Sequence, residues 1–363
     1  METNNIFPYK ATHPVELIKD ELEARGMSKK ELAERMGIKQ SNLSRLMRGN
    51  MHLSVEMAKK LESALDIPAN FWIELQLQYD SDSAAIAQRN IEEQNAICIE
   101  KSLSLTFNLS ELYKRLQLNN SHYIHDKLIA LQELFGVEAA NLPILAPVGA
   151  FKKSENLATD ERNLATWLLL AYLSAKRNAP STVYIEGNAD LAARDIASEM
   201  NSGVLTQERI SRILDGYGIS YSVVSKLDKV PVDAYSTWEM DYPAIVTTNR
   251  RNDMSCLVFN VLHELGHISL HLKKGGKECF VHNEESTSKK EDEANNYAAN
   301  MLIPRPIWNN IRCSAIPKGF AYIVEHLRNE ASLNGLSQDV VIWRYKYETK
   351  CYNLKGAKPS PIV

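Results

Sequence analysis

"VLHELGHISLH", residues 261–271, sets two histidines, His263 and His267, four apart with Glu264 beside the first. On an α-helix, positions i and i+4 lie one above the other on one face. Both imidazoles can therefore hold one cation. Zinc favours such a pair with one further protein ligand, leaving a fourth position for water. Glu264 points off the histidine line and can reach that water from the side to take its proton. Zinc lowers the pKa of the water toward about 7, so one carboxylate suffices as base. The competing reading is an amphipathic helix that carries two histidines for no chemical purpose. The flanks weigh against it. Leu257, Val258, Val261, Leu262, Leu265, Ile268 and Leu270 surround the polar residues, and two His and a Glu on a buried helix are costly unless something satisfies them. Gly266 costs about 1 kcal/mol against Ala inside a helix. It is tolerated where another backbone packs close.

A third ligand is needed. Downstream, "EDEANNYAANMLIP" (291–304) reads as a helix with Ala294, Tyr297, Ala298 and Met301 at packing spacing, stopped by Pro304. Glu293 lies beside that stripe and 26 residues after His267, which leaves room for a loop. Glu291 and Asp292 are rivals; Glu291 is two residues from Glu293 and so nearly opposite on the helix. His271 continues the i+4 row but stands about 12 Å along the helix from His263, too far to share one ion with both. It reads as an ordinary exposed or hydrogen-bonded histidine. His282 falls in a polar stretch and reads as solvent-facing.

"HELGHISLH" followed by "EDEANNYAANMLIP" resembles the ImmA/IrrE family of metallopeptidases. The resemblance covers roughly residues 180–350 and includes "SLNGLSQDVVIWRYKYE" (332–348), similar to that family's closing segment. The segments "FKKSEN" and "LATWLLLAYLSAKR" resemble a version of the family fused to a DNA-binding domain. The resemblance implies a zincin-like fold, Zn2+ held by His263, His267 and Glu293, and Glu264 as catalytic base. It also implies a regulatory protein, such as a repressor, as substrate.

The chain around these motifs has 363 residues, which suggests two or three domains. A 44% apolar and 24% charged composition is that of a globular protein, and the net charge of −3 excludes a globally basic nucleic-acid coat. Five scattered cysteines without a CxxC pair read as reduced thiols. With no apolar leader at the start and no run of about 18 apolar residues, a cytoplasmic protein without a membrane span is expected.

The N-terminal part reads as five short helices between His13 and Tyr79, punctuated by Gly26, Gly37 and Gly49. Ser28 with Glu31 forms a capping-box pattern, Ser54 caps a fourth helix, and Pro68 starts a fifth. "SKKELAERMGIKQSNLSRLMRG" resembles a Cro/cI-type, or XRE, helix-turn-helix, and residues 13–76 are similar to HigA-type antitoxin repressors. The two helices join through Gly37 and Ile38, and the second exposes Gln40, Ser41, Asn42 and Arg45. In such motifs the start of the second helix reads base edges in the major groove. Lys29, Lys30 and Arg48 sit where phosphate contacts are expected. Residues 1–65 hold 11 Lys and Arg against 9 Asp and Glu, a net +2, so binding needs those cations on one face and a homodimer to read two half-sites.

The expected organisation is multidomain. A tail (1–12) precedes an all-α helix-turn-helix bundle (13–78) and a helical connector (79–178). An α+β zincin-like metallopeptidase domain (179–350) and a second tail (351–363) follow. Strands are expected at "TVYIEG" (182–187), "ISYSVVSKL" (219–227) and "YPAIVTT" (242–248). The expected protein is a DNA-binding transcriptional regulator that binds an operator and hydrolyses a peptide bond in a regulatory protein. The alternative is an antitoxin-type repressor whose peptidase-like domain senses a ligand or a toxin partner without catalysis. A third reading is an active peptidase whose bundle recruits protein rather than DNA.

Overall fold

The computed structural model describes residues 9–145, 159–238, 241–274, 276, 278–282, 288–314, 320–351, 354 and 360–362. Two compact units emerge, one of residues 1–98 with 123–125 and one of residues 99–122 with 126–363. The "FKKSEN" segment lies outside the described residues.

The first unit begins with α1 (Pro14–Ala24), α2 (Lys29–Arg35), α3 (Gln40–Leu46) and α4 (Val55–Leu65). Each boundary has a local cause. His13 Nδ1 accepts from Val15 N at 3.1 Å, Ser28 Oγ from Glu31 N at 3.1 Å, and Ser54 Oγ from Met57 N at 3.3 Å. These satisfy amides that a helix start leaves unpaired. The capping box at Ser28 is half formed: the Glu31 carboxylate turns outward to Arg35 at 2.8 Å. Leu32, Leu43, Leu46, Leu61, Leu65 and Trp72 close the core.

The fifth helix departs from expectation. α5 runs unbroken from Ala69 to Thr106, 38 residues, where a short helix and a separate helical connector were expected. The composition does become polar after Tyr79, but it contains no Gly or Pro. Side-chain pairs four apart, Gln76–Asp80, Gln78–Asp82 and Gln88–Glu92, link successive turns at 2.7–2.8 Å.

Beyond α5 come α6 (Leu109–Arg115), α7 (Ile124–Phe135), α8 (Glu161–Arg177), α9 (Asn188–Ser202) and α10 (Gln207–Gly216). The apolar α8, expected within the connector, belongs to the second unit's core. Trp167 Nε1 donates to Val224 O at 3.4 Å, and Tyr242 Oη donates to Ala175 O at 3.3 Å. A small mixed sheet follows: β1 (Ser220–Val223), β2 (Ala234–Thr237), β3 (Ala244–Thr247) and, after α11 (Met254–Leu270), β4 (Cys279–His282). Its order is β1-β3-β2-β4, with β1 parallel to β3 and β2 antiparallel to both β3 and β4. β1 and β3 fall where strands were expected. Residues 182–187 do not form one. Val183 and Ile185 are exposed, and Tyr184 packs edge-on against Trp238 instead of joining a ladder. The fold closes with α12 (Lys289–Leu302), α13 (Arg305–Cys313), α14 (Phe320–Leu333) and α15 (Gln338–Thr349). Among the described residues, no single helix is long and apolar enough to cross a membrane.

Candidate metal centre and helix-turn-helix

α11 is the buried axis of the second unit. The Asp253 carboxylate caps its start, accepting from Ser255 N at 2.9 Å and Cys256 N at 3.2 Å. Met254 through Ile268 are all buried, as suits a helix apolar on every side. His263, Glu264 and His267 are each 0% exposed. Burial therefore holds the His263 imidazole down at about 3 and lowers His267 as well, because the charged form loses its hydration. Burial also pushes the Glu264 carboxyl well above the usual carboxylate range, against the hydrogen bond from Ser236 Oγ at 2.5 Å.

α12 crosses α11 at Gly266. A Cβ there would lie 3.2 Å from Ala294 Cα and 3.1 Å from Tyr297 Cδ1. This is the close approach that explains a glycine in mid-helix. Asp190 on α9 ties the crossing together: Tyr297 Oη donates to its Oδ1 at 2.6 Å and Ser269 Oγ at 2.9 Å. Arg344 on α15 secures the far end of α12. Its Nη1 donates to Ala299 O at 2.8 Å and Ile303 O at 2.9 Å, filling carbonyls that a helix end leaves open.

The crossing brings Glu291, not Glu293, to the histidine pair. Among the described residues, His263, His267 and Glu291 are the His, Cys, Asp or Glu side chains gathered at metal-ligand spacing. His263 Nε2 and His267 Nε2 are 3.0 Å apart, and the Glu291 oxygens lie 3.2 Å and 3.3 Å from them. Ligand atoms about 2.0–2.1 Å from a tetrahedral zinc stand about 3.3 Å from one another, so the three atoms match one face of that tetrahedron. The expectation for Glu293 is corrected by the helix period. Glu291 shares the buried stripe with Ala294 and Ala298. Glu293 stands on the other side, 44% exposed, and bonds His271 Nε2 at 2.9 Å.

The outer contacts fix which nitrogen carries each proton. His263 Nδ1 meets Asn295 Oδ1 at 3.0 Å. An amide oxygen only accepts, so Nδ1 holds the hydrogen and Nε2 is bare. On the other side Glu293 accepts from His271 Nε2. The bare His271 Nδ1 then accepts from His267 Nδ1, 3.0 Å away, which leaves His267 Nε2 bare as well. Two lone pairs and a carboxylate thus converge in a buried space, an arrangement that repels itself unless a cation sits between them. Unpartnered buried atoms point the same way. Glu264 Oε1, Glu291 Oε2 and His282 Nδ1 are buried without a hydrogen-bond partner among the described residues. The donor set fits zinc.

His282 corrects a second expectation. It lies at the end of β4, 5% exposed, its ring 3.9 Å from that of His263, and not in a solvent-facing loop. Phe280 on the same strand stacks on His267 at 3.9 Å and 8°. The alternation of Phe280 and His282 toward one side of a strand was the available signal, but four residues are too few to announce a strand. Ser236, Asn295 and Asp190 gave no sequence signal, because their roles come from elements that meet only in the fold.

In the first unit, Gln40, Ser41, Asn42 and Arg45 are all exposed on α3 or at its start, as expected, and Leu43 and Leu46 face the core. Gly37, at φ +63°, makes the turn between α2 and α3. Lys29 and Lys30 are exposed at the start of α2. Arg48 is exposed too, its Nε donating to Ser44 O at 3.1 Å.

Residues 18–72 match the helix-turn-helix family. A candidate antidote protein of a plasmid maintenance system from Nostoc punctiforme PCC 73102, of known structure, is 26% identical over 23% of this chain and 93% of that chain, with a TM-score of 0.23. A comparison with curated proteins finds no match. The family match over residues 18–72 gives the chain an N-terminal helix-turn-helix, the module of DNA-binding regulators.

Proposed function

We propose that this protein is an operator-binding regulator whose second unit is a zinc-dependent peptidase acting on a regulatory protein, with His263, His267 and Glu291 as the metal ligands. The observation that carries this reading is the convergence of two bare imidazole nitrogens and one carboxylate at tetrahedral spacing. Zinc, when bound, supplies Lewis-acid polarisation of a water and of a peptide carbonyl. Glu264 accepts the water proton and returns it to the leaving amine; its raised pKa suits a group that must hold that proton between the two transfers. Ser236 orients the Glu264 carboxylate by donating to Oε2 and leaves Oε1 free. Asn295, His271 and Glu293 keep the ligand tautomers correct. On the DNA side, Gln40, Ser41, Asn42 and Arg45 read base edges, and Lys29, Lys30 and Arg48 contact phosphates.

One observation favours the second reading, an antitoxin-type repressor whose metal unit senses a ligand or toxin partner without turnover. His263, Glu264 and His267 have no solvent exposure, and a substrate carbonyl must reach them. The two readings separate in cells expressing the wild type or Glu264→Gln. Peptidase action predicts partner fragments that vanish in the variant while zinc content and DNA binding persist. Identical partner profiles in both, with zinc bound, would establish the sensing reading instead.

A further inference from the structure

His282 is the buried histidine that the proposed function leaves without a role. It ends β4, and the sheet fixes where it stands. His282 pairs with Ala234 of β2, and its carbonyl accepts from Asp233 N at 3.0 Å. Phe280, two residues earlier on the same strand, pairs with Ser236. Residues two apart on a strand, and those directly opposite across a ladder, share one face. That face turns to α11. Phe280 lies on the His267 ring and His282 on the His263 ring, both at 3.9 Å, and Ser236 Oγ donates to Glu264 Oε2.

Packing alone does not explain a histidine here. Phe280 shows that a hydrocarbon ring can cover one imidazole of the pair. His282 covers the other with a ring that carries two nitrogens into a place where 5% of the residue is exposed, which is costly without a partner. Its Nδ1 is buried with no hydrogen-bond partner among the described residues, and Glu291 Oε2, likewise unpartnered, lies 3.6 Å away. Two orphaned polar atoms, complementary in kind, thus face each other about 0.7 Å beyond an ordinary N–H···O length. A small turn of either side chain joins them. His282 is not a fourth ligand. It falls outside the group whose ligand atoms all stand within 4.8 Å of one another, whereas ligands of one tetrahedral zinc stand about 3.3 Å apart.

The carboxylate gives the contact its meaning. Glu291 lies across the histidine pair, with Oε2 3.2 Å from His263 Nε2 and Oε1 3.3 Å from His267 Nε2. Both oxygens are at ligand spacing, and a carboxylate so placed can chelate an ion with both. We propose that His282 is a positioning residue that donates from Nδ1 to Glu291 Oε2, so that Oε1 alone binds the metal and a coordination position stays open for water. The inference rests on the zinc reading above. A carboxylate oxygen only accepts, so the hydrogen sits on His282 Nδ1. The paired strands β2 and β4 then serve both carboxylates alike. Ser236 holds Oε2 of Glu264, His282 holds Oε2 of Glu291, and each Glu keeps Oε1 for its task.

Two substitutions separate a donor from a filler. His282→Asn keeps a nitrogen donor close to the Nδ1 position but loses the ring; His282→Phe keeps the ring and loses the donor. Chelator-treated full-length protein is titrated with zinc against a competing chromophoric chelator. It is also titrated with cobalt(II), whose visible bands weaken when a fifth ligand joins four. His282→Phe should still bind about one zinc per chain but about 10–100-fold more weakly than the wild type, with weaker cobalt bands as Oε2 moves onto the metal. His282→Asn should restore most of the affinity and the wild-type spectrum. A role in packing alone predicts the reverse order, Phe close to the wild type and Asn worse, and that order would overturn the proposal. So would loss of zinc altogether from both variants, which would make His282 a ligand. Thermal unfolding of the metal-free variants checks that each is folded, and His282→Leu repeats the donor-free comparison if the Phe ring cannot be seated. A wild type that binds no zinc would bring down the metal reading and this inference with it. Equal zinc affinity and one cobalt spectrum for the wild type and His282→Phe would bring down this inference alone.

Discussion

Glu291 and Glu293 stand two positions apart, and that offset, about 200° around a helix, sends one inward to the histidines and the other outward to His271. The inward one is set by the small residues Ala294 and Ala298, which let α12 lie close on α11. The exposed one still serves the site, at the end of a chain of hydrogen bonds that fixes His267. The buried histidines carry a second consequence. His263 takes a proton only near pH 3 in the folded chain but near 6.5 when unfolded. Between those values the unfolded state binds more protons, so stability rises with pH through the window and is lost as pH falls below about 6.5. The slope reaches about 1.4 kcal/mol per pH unit for this one group. Urea unfolding of chelator-treated protein from about pH 4 to about pH 8 should show the decline, and His263→Gln should flatten it. Equal slopes in the wild type and the variant would show that the imidazole is not buried neutral.

At the scale of elements, the crossing of α11 and α12 is the joint on which the site depends. Gly266→Val puts two methyl groups where the Ala294 backbone and the Tyr297 ring already stand. It should destabilise the second unit by about 1–3 kcal/mol through overpacking and push Glu291 away from the histidine pair. Thermal unfolding checks the first effect and zinc affinity the second; a variant with wild-type values for both would mean that α12 does not lie against Gly266. α11 and α12 were legible because their apolar periodicity is long and strong. β2 and β4 were not. Each has four residues, "AYST" and "CFVH", and their strand character comes from pairing with each other rather than from local pattern. The composition shift at Tyr79 suggests a boundary between a short helix and a helical connector, yet a polar stretch without Gly or Pro has no reason to stop a helix, and α5 runs through it.

For the molecule as a whole, the helix-turn-helix and the two histidines were legible because each is a local spacing rule: a capped helix, a glycine turn and an exposed recognition face in one case, an i, i+4 pair in the other. The third proposed ligand was not legible. It depends on which face of α12 meets α11, and "EDEANNYAA" offers carboxylates on both. The surrounding groups that tune the site, Asn295, Ser236 and His282, come from separate elements and become neighbours only in the fold. The central claim is that His263, His267 and Glu291 make one metal site, with Glu293 outside it. Elemental analysis of the wild type, His263→Ala, Glu291→Gln and Glu293→Gln tests it most directly. The account predicts about one zinc per chain in the wild type, none retained by His263→Ala or Glu291→Gln, and zinc still bound by Glu293→Gln with affinity about 10–100-fold weaker. Zinc kept by Glu291→Gln but lost from Glu293→Gln, or a wild type purified with no metal that binds none when zinc is added, would contradict it.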